Sequence, residues 1–509
     1  MGIGDGDRSA VTPGLLLVAV AAVALGLVLR FVALSPMWLD EAISASLADE
    51  AGIGWSALVD ALRHDGHPPL YYVLLGVWSD VFGTTDAALR AFSGVLGVFS
   101  LPLGWLVARR HLDRRGSVMM MAVLASSPFA VRYATEVRMY ALLLVLLLIL
   151  HLVVVRAWER PSTGRAGVVA VVVAALLLTH YWSLFALAVL GIGTLAARRV
   201  DRRRGNHLLG GVVAGCLAFV PWIPVLIDQM THTGTPWSPA PRPTVVVALT
   251  LEAYGGGRGA EALLVVVAFS VLLALGLGSR EGPTGSTLGL TNLRWLKVVV
   301  VAGAATMFLG AVVSLVTDTA FQGRYGVFAL TPLLLACAVG LQRMTPRASV
   351  VALAVLVLLS GVSVARELSR DRTQIGEIAD VVRVEGSTGD LVVFCPDQLA
   401  PAGSRLLADD FITRSYPALD DGRRVDWVDY AQRNADVDVD AVADAVAAEA
   451  AGSENVWLAW MDGYVTFEGQ CPRLRLALAE RLGRPVKAVH ADADAFHDAA
   501  NLSRFPGGS

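Results

Sequence analysis

The sequence predicts an α-helical polytopic membrane protein of about eleven spans, followed by a small soluble α/β domain. Three observations carry this prediction. Charged residues make up only 17% of the chain, against 55% hydrophobic, where a soluble domain carries about 25% charged residues. Apolar runs close to the roughly 20 residues that cross a bilayer as a helix recur as far as Ala365. The net charge of −3 conceals a split: residues 366–509 hold 15 Arg or Lys against 25 Asp or Glu, whereas residues 1–365 hold 26 against 19. An acidic tail on a basic, apolar body is not one uniform domain. No basic stripe with interleaved aromatics occurs, which argues against a nucleic-acid partner.

The candidate spans follow in order: Gly14–Leu34, Leu89–Ala108, Ser117–Val131, Met139–Val155, Ala166–Thr179, Tyr181–Ala197, His207–Ile227, Gly259–Gly278, Val298–Val316, Gly326–Leu341 and Ala348–Ala365. The first is too long for a signal-peptide core and lacks a cleavage site, so it reads as an anchor. Pro68–Phe82 is apolar but shorter, and carries Tyr71, Tyr72, Trp78, Ser79 and Asp80. Charge decides its placement. If it lies along the interface and the N-terminus is inside, the loops at 109–115, 156–165, 198–204, 280–297 and 343–347 all face the cytoplasm with 17 Lys or Arg, against seven in the outer stretches before the tail. A crossing would reverse every later loop and violate the positive-inside rule. The expected protein is therefore a multi-pass plasma-membrane protein with residues 1–365 as the membrane domain, residues 35–88 as its first outer loop, and residues 366–509 outside the cell.

The tail shows helical pattern at Gly376–Val384 and Val437–Ala450, and short strands at Leu391–Phe394, Val456–Trp460 and Val486–Val489. It has no glycine-rich phosphate loop and no nucleophile elbow. Asp436, Asp438 and Asp440 alternate, but the glycine and final glutamate of a calcium loop are absent. Cys216 and Cys337 lie in apolar runs and read as small core residues. Cys395 and Cys471 both fall in the tail, where an oxidising compartment allows a bond that spacing alone does not establish.

With this topology the unusual polar residues gather on the outer side: Asp40-Glu41, His64 to His67, Arg132 to Arg138, His180, Asp228 to His232, Glu252, Asp318 and Arg324. Polar groups collected at the ends of spans mark a site at the membrane–water boundary, although solvated loop ends account for some of them. Asp40 and Glu41 follow the first span, where partial desolvation raises a carboxyl and suits it to general-base work; the competing reading is that Asp40 caps a helix over Ala42–Ala48. His67 opens His67-Pro68-Pro69-Leu70-Tyr71-Tyr72 and either positions a donor phosphate or hydroxyl or merely caps the turn. Arg132, Glu136 and Arg138 crowd a short turn between two spans, where charges must pair with one another or bind something. Arg324 and Tyr325 open the tenth span, where a guanidinium meets an anion or snorkels to lipid phosphate.

In order, these motifs (Asp40-Glu41, the HPPLYY of residues 67–72, the FGTTDAALR of 82–90 and the SPFAVRYATEVRMYALL of 127–143) resemble the polytopic glycosyltransferases of the GT-C class. They are most similar to bacterial relatives of family 39, which include protein mannosyltransferases and lipid A aminoarabinose transferases. The resemblance is specific over Ser35–Leu144, continues loosely to Ala365 through the QGRYGVFALTP of 322–332, and does not cover the tail. It implies a GT-C fold, a polyprenyl-phosphate sugar donor (mannose or a pentose), an extracytoplasmic glycan, lipid or protein acceptor, and inversion at the anomeric carbon. It implies Asp40 as catalytic base with Glu41 beside it, and His67, Arg132, Glu136, Arg138, Arg324 and Tyr325 as donor-binding residues. Some members of the class use a divalent metal. Asp40, Glu41, His67, Glu136 and His180 offer oxygen and imidazole groups, yet no spacing requires a metal. The β-trefoil of eukaryotic protein-modifying members is not visible. A transporter or flippase of lipid-linked saccharides is the competing class, but it is expected to show polar mid-span residues and repeated halves.

Overall fold

The computed structural model describes residues 11–235, 241–281, 287–492, 495 and 497–507. Residues 1–10, which the charge pattern places inside, and 282–286 of the loop 280–297 lie outside the described residues. The chain forms two compact units: Met1–Val32, Arg90–Ile223 and Ala240–Glu367 make the first, and Ala33–Leu89, Pro224–Pro239 and Leu368–Ser509 the second. The first loop thus belongs to the same unit as the tail.

Every one of the eleven apolar runs contains a helix, but not all to the same length. Among the described residues, seven helices are long and apolar enough to cross a membrane: Asp86–His111, Tyr140–Glu159, Arg202–His232, Ala260–Leu277, Arg294–Val316, Gly323–Gln342 and Pro346–Leu368. An eighth is a broken pair, Arg114–Ser126 and Pro128–Ala134, bent by 52°. The three remaining runs give the shorter helices Pro13–Leu29, Thr163–Leu177 and Ser183–Ala197. One further helix, Pro243–Gly255, was not expected. Its 13 residues fall short of a span, so a search by length passes over it. A two-stranded hairpin joins β1 (Gly278–Glu281) to β2 (Thr287–Leu290).

Small residues let these helices approach closely, as membrane packing requires. An added Cβ at Gly211 or Gly215 would stand 2.6 Å from the carbonyl oxygen of Ala166 or Ala170. Gly276 and Gly340 play the same part against Ala336 and Leu272, at 2.1 and 2.2 Å. The first span ends at Leu29, so Arg30 does not continue it. Arg30 is fully buried and its guanidinium donates to Gly26 O at 2.7 Å, Ala125 O at 2.9 Å and Leu124 O at 3.1 Å. These are carbonyls of the last turns of two helices, which have no partner within the helix. A buried charge is tolerated there because it satisfies them. Cys337 is buried as expected, whereas Cys216 is exposed on its helix and is no core residue.

In the second unit the tail carries a five-stranded sheet in the order β4-β3-β5-β7-β6. Its strands are β3 (Leu391–Cys395), β4 (Ile412–Ser415), β5 (Asn455–Trp460), β6 (Val486–Val489) and β7 (Asn501–Pro506). β3 runs parallel to β4 and β5, and β7 runs antiparallel to β5 and β6. All five side chains of β3 are buried, the pattern of a parallel strand covered on both faces. Ile375, Ile378, Ala379 and Val382 of the helix Ile375–Glu385 pack on Val392, Phe394, Trp457 and Leu502. Each large apolar side chain buried in this way contributes about 1.5–3 kcal/mol. Cys395, ending β3, is bonded to Cys471 in the first turn of the helix Gln470–Leu482, with Cα atoms 5.5 Å apart. Asp438 caps the helix Val439–Glu449 by accepting from the amides of Asp440 and Ala441, each at 3.1 Å, which accounts for one of the alternating acids. Pro68–Phe82 becomes the 13-residue helix Leu70–Phe82, too short to cross.

Candidate active site

The basic candidate residues lie in the first unit, and a helix break builds their setting. Ser127 accepts from Ala130 N at 3.4 Å and Pro128 occupies the first helical position, a strong helix start placed directly after another helix. The short helix therefore leaves the line of its predecessor, and the chain turns through Thr135–Arg138 into Tyr140–Glu159. Glu136 is 1% exposed and Arg138 2%. Arg132 Nε donates to Glu136 Oε1 at 3.1 Å, and its Nη1 pairs with Glu367. The pairing alternative is therefore the observed one for Arg132, but with two carboxylates. Glu367, the last-but-one residue of the helix Pro346–Leu368, was missed. An acid at the very end of an apolar helix was the available signal.

Arg324 lies over the Tyr140 ring, with its guanidinium carbon 5.7 Å from the centroid. Tyr325 stacks on Trp182 with centroids 4.4 Å apart, and His180 stands edge-on to Tyr325 at 5.5 Å. Gly310 gives Trp182 its place, since a Cβ there would sit 2.3 Å from the indole. The unexpected helix Pro243–Gly255 sets the turn that bears Arg324: Tyr254 Oη donates to Gly326 O at 2.7 Å, and Gly323 has room for no Cβ beside Leu249 O. The same helix forms one wall of an apolar groove with Met307, Phe308, Ala311 and Leu315 on the other. Arg132, Arg138 and Arg324 outnumber Glu136 and Glu367, so this aromatic-walled region carries a formal positive excess.

The acidic candidate residues lie in the second unit. Asp40 and Glu41 occupy the first turn of the helix Leu39–Ile53, where the helix dipole favours negative charge. The helix starts earlier than the sequence suggested: Trp38 is the residue before it, and Asp40 is not its cap. Glu41 is fully buried and meets Arg372 Nη1 at 3.4 Å. Asp40 is half-buried. His67 Nδ1 lies 2.6 Å from Asp65 Oδ2. Its carbonyl is held by Gln229 Nε2 at 3.3 Å, which also donates to Leu62 O at 2.6 Å.

Two buried carboxyls of this unit escaped the sequence reading. Asp498 is 7% exposed, and burial pushes it up to about 7 against the pull of a Thr373 hydroxyl, with the charge of Asp40 adding to the rise. Asp397 is likewise pushed up to about 7 by burial, against a hydrogen bond from Tyr430. Tyr464, raised by burial, faces the charges of Asp397, Asp40 and Asp498. No local motif marks these residues, because their partners are distant in sequence. Among the described residues, no group of three or more His, Cys, Asp or Glu is placed to hold a metal ion.

Residues 66–227 match the family model described as dolichyl-phosphate-mannose-protein mannosyltransferase. No curated protein sequence matches the chain. Among solved structures, ArnT from Cupriavidus metallidurans bound to undecaprenyl phosphate superposes with a TM-score of 0.61 at 14% identity, covering 97% of this chain and 98% of that one. The fold is that of the GT-C membrane glycosyltransferases. The apo form of the same ArnT gives a TM-score of 0.59 at 14% identity over 96% of this chain and 97% of that one. The arabinofuranosyltransferase AftD from Mycobacteria gives 0.51 at 16% identity, over 98% of this chain but only 42% of that larger one. The GT-C resemblance read from the motifs is thus borne out, and the match to ArnT extends it through the tail. The family-matched segment includes the candidate residues His67, Arg132, Glu136 and Arg138.

Proposed function

We propose that this chain is a membrane glycosyltransferase that moves a sugar, mannose or a pentose, from a polyprenyl phosphate to an extracytoplasmic cell-envelope acceptor with inversion. The observation that carries the reading is the cationic, aromatic-walled region around Arg138 and Arg324 beside an apolar groove. A phosphate attached to an isoprenoid calls for that combination: guanidiniums for the anion and an apolar surface for the chain. The bound undecaprenyl phosphate of ArnT belongs to the same ligand class.

In this reading Asp40 removes the proton from the acceptor hydroxyl as its oxygen bonds to the anomeric carbon. The bond from that carbon to the phosphate oxygen breaks with its electron pair, and polyprenyl phosphate departs as the anion. Arg138 and Arg324 oppose the charge that develops on it. Arg132 and Glu136 hold the turn in shape through their ion pair, and Tyr325 offers its ring face to the sugar. His67, oriented by Asp65, fixes the entry to the helix Leu70–Phe82 and positions the donor phosphate or a hydroxyl. The positive-inside pattern assigns this chemistry to the extracytoplasmic side.

The test is Asp40→Asn in purified protein. Binding of the polyprenyl-phosphate sugar is retained, while transfer falls by at least about a hundredfold, the usual contribution of a general base. Unchanged turnover removes Asp40 from this role. Movement of donor across vesicles without any glycosylated product would instead identify a flippase.

A further inference from the structure

The first turn of the helix Leu39–Ile53, which presents Asp40, is gripped by residues far later in the chain. Arg372 N donates to Ser35 Oγ at 2.8 Å, and the Arg372 guanidinium reaches Glu41. The Trp38 indole stacks on the His497 imidazole, with centroids 3.7 Å apart and planes 9° from parallel. Residues 372–374 and 497–498 lie side by side: His497 N donates to Arg372 O and Gln374 N to Asp498 O, each at 3.0 Å, and Thr373 bridges to Asp498 as in a parallel sheet. Trp38 supplies no side-chain cap to the helix. Asp498 takes over that office, since its carboxyl accepts from the Leu39 N–H and from the Thr373 hydroxyl.

The cap is of an unusual kind. Capping carboxylates are ordinarily solvated, whereas Asp498 is 7% exposed and its Oδ2 has no hydrogen-bond partner among the described residues. An unpartnered anionic oxygen in that position is costly, and a like charge nearby makes it more so. The groups that face it are Asp40, the Glu41–Arg372 ion pair, His497, and Tyr464 with Asp397 behind it.

We infer that Asp498 and Asp40 form a carboxyl pair in which the buried Asp498 keeps a proton on Oδ2, leaving Asp40 as the anion that takes the acceptor's proton. Asp498 is thus a positioning residue contributed by the tail: it fixes the turn that carries the base and sets which member of the pair is charged. Such pairs lose their protons in separate steps belonging to the pair. Once Asp498 ionises, two negative charges share the site, their repulsion disturbs the cap, and the clamp that aims Asp40 loosens. The inference rests on Asp40 being the base.

The experiment is a pH profile of kcat/KM for wild type and Asp498→Asn, using a synthetic short-chain polyprenyl-phosphate sugar as donor. The amide oxygen of Asn still caps the helix but cannot ionise. Wild type loses about tenfold between about pH 6 and about pH 8, and Asp498→Asn loses that alkaline limb while binding donor normally. A cap with no proton role predicts the same limb in both proteins, and that result overturns the inference. If Asp40→Asn turns over normally, the underlying reading has failed instead. Should Asp498→Asn not fold, infrared spectroscopy of full-length Asp397→Asn, which lacks the other carboxyl pushed up to about 7, reads the protonated-carboxyl band directly. Its disappearance between about pH 6 and about pH 8 supports the pair, and its absence throughout sinks it.

Discussion

Asp397 provides a test of the tail domain's physics that is independent of catalysis. In the folded protein its carboxyl is pushed up to about 7, chiefly by burial; the neighbouring Asp420 adds to the rise, while Tyr430 and Arg433 pull it down. In the unfolded chain it returns to its ordinary value of 3.8. Between those two values the folded state holds a proton that the unfolded state has released. The resulting stability is complete below about pH 4, declines by roughly 1.4 kcal/mol per pH unit as pH rises, and is gone above about pH 7. Across the full window this amounts to about 4 kcal/mol, and between pH 5 and 7 to about 3 kcal/mol, or roughly a hundredfold in the folding equilibrium. Asp397→Asn leaves an amide oxygen to accept from Tyr430 and removes the ionisation alone. Hydrogen exchange of the full-length protein in detergent, followed on the peptide containing β3 and corrected for chemical exchange, measures the consequence. From about pH 5 to about pH 7 the wild type is expected to lose up to about a hundredfold more protection than the variant. Asp498 titrates in both proteins and cancels from the comparison. Parallel pH dependences in the two would refute the claim that burial holds this carboxyl protonated.

Three further outcomes are expected. Arg138→Ala and Arg324→Ala weaken binding of polyprenyl phosphate by about tenfold or more each, the value of a charge-assisted hydrogen bond, with little change in fold; normal titration of both would remove the phosphate site. Glu367→Gln strands part of the buried charge of Arg132 and costs about 3–5 kcal/mol, read as a lowered melting temperature; an unchanged melting temperature would refute the pair. Thiols engineered at Gly452 and Glu454, the exposed residues of Gly452–Glu454 before β5, are labelled by impermeant reagent on intact cells; labelling only after permeabilisation would reverse the proposed topology.

The hydrophobic pattern made the helices legible, because every apolar run longer than about a dozen residues had to bury or face lipid along its length. It failed at Pro243–Gly255, whose length marks no span, and at β4 and β7, where a short strand with Arg414 or Arg504 at its centre shows no clean alternation. The glycosylation-like triplet Asn501-Leu502-Ser503 forms the start of β7 with Leu502 and Ser503 buried, so it reads as strand rather than as an exposed acceptor. In the candidate site, residues carrying charge into an apolar setting stood out: Asp40, Glu41, Arg132, Glu136, Arg138 and Arg324. Trp182, Glu367 and Asp498 did not. A tryptophan in an apolar run, an acid ending a helix and an acid in an acidic tail are each ordinary by composition. Only contacts across hundreds of residues give them meaning.

The grip of residues 372–374 and 497–498 on the first loop also bears on how the protein comes into being. Ser35, Trp38 and Glu41 leave the ribosome long before Arg372 and His497, and the spans between them are inserted in the interval. Contacts of such wide sequence separation form late and slowly. A nascent chain whose membrane helices are already inserted therefore has an unclamped Asp40 helix and no Asp498 beside it. On the proposed reading, competence for proton transfer arrives only with residues 497–498, so a truncated or stalled chain is expected to occupy the membrane without transferring sugar.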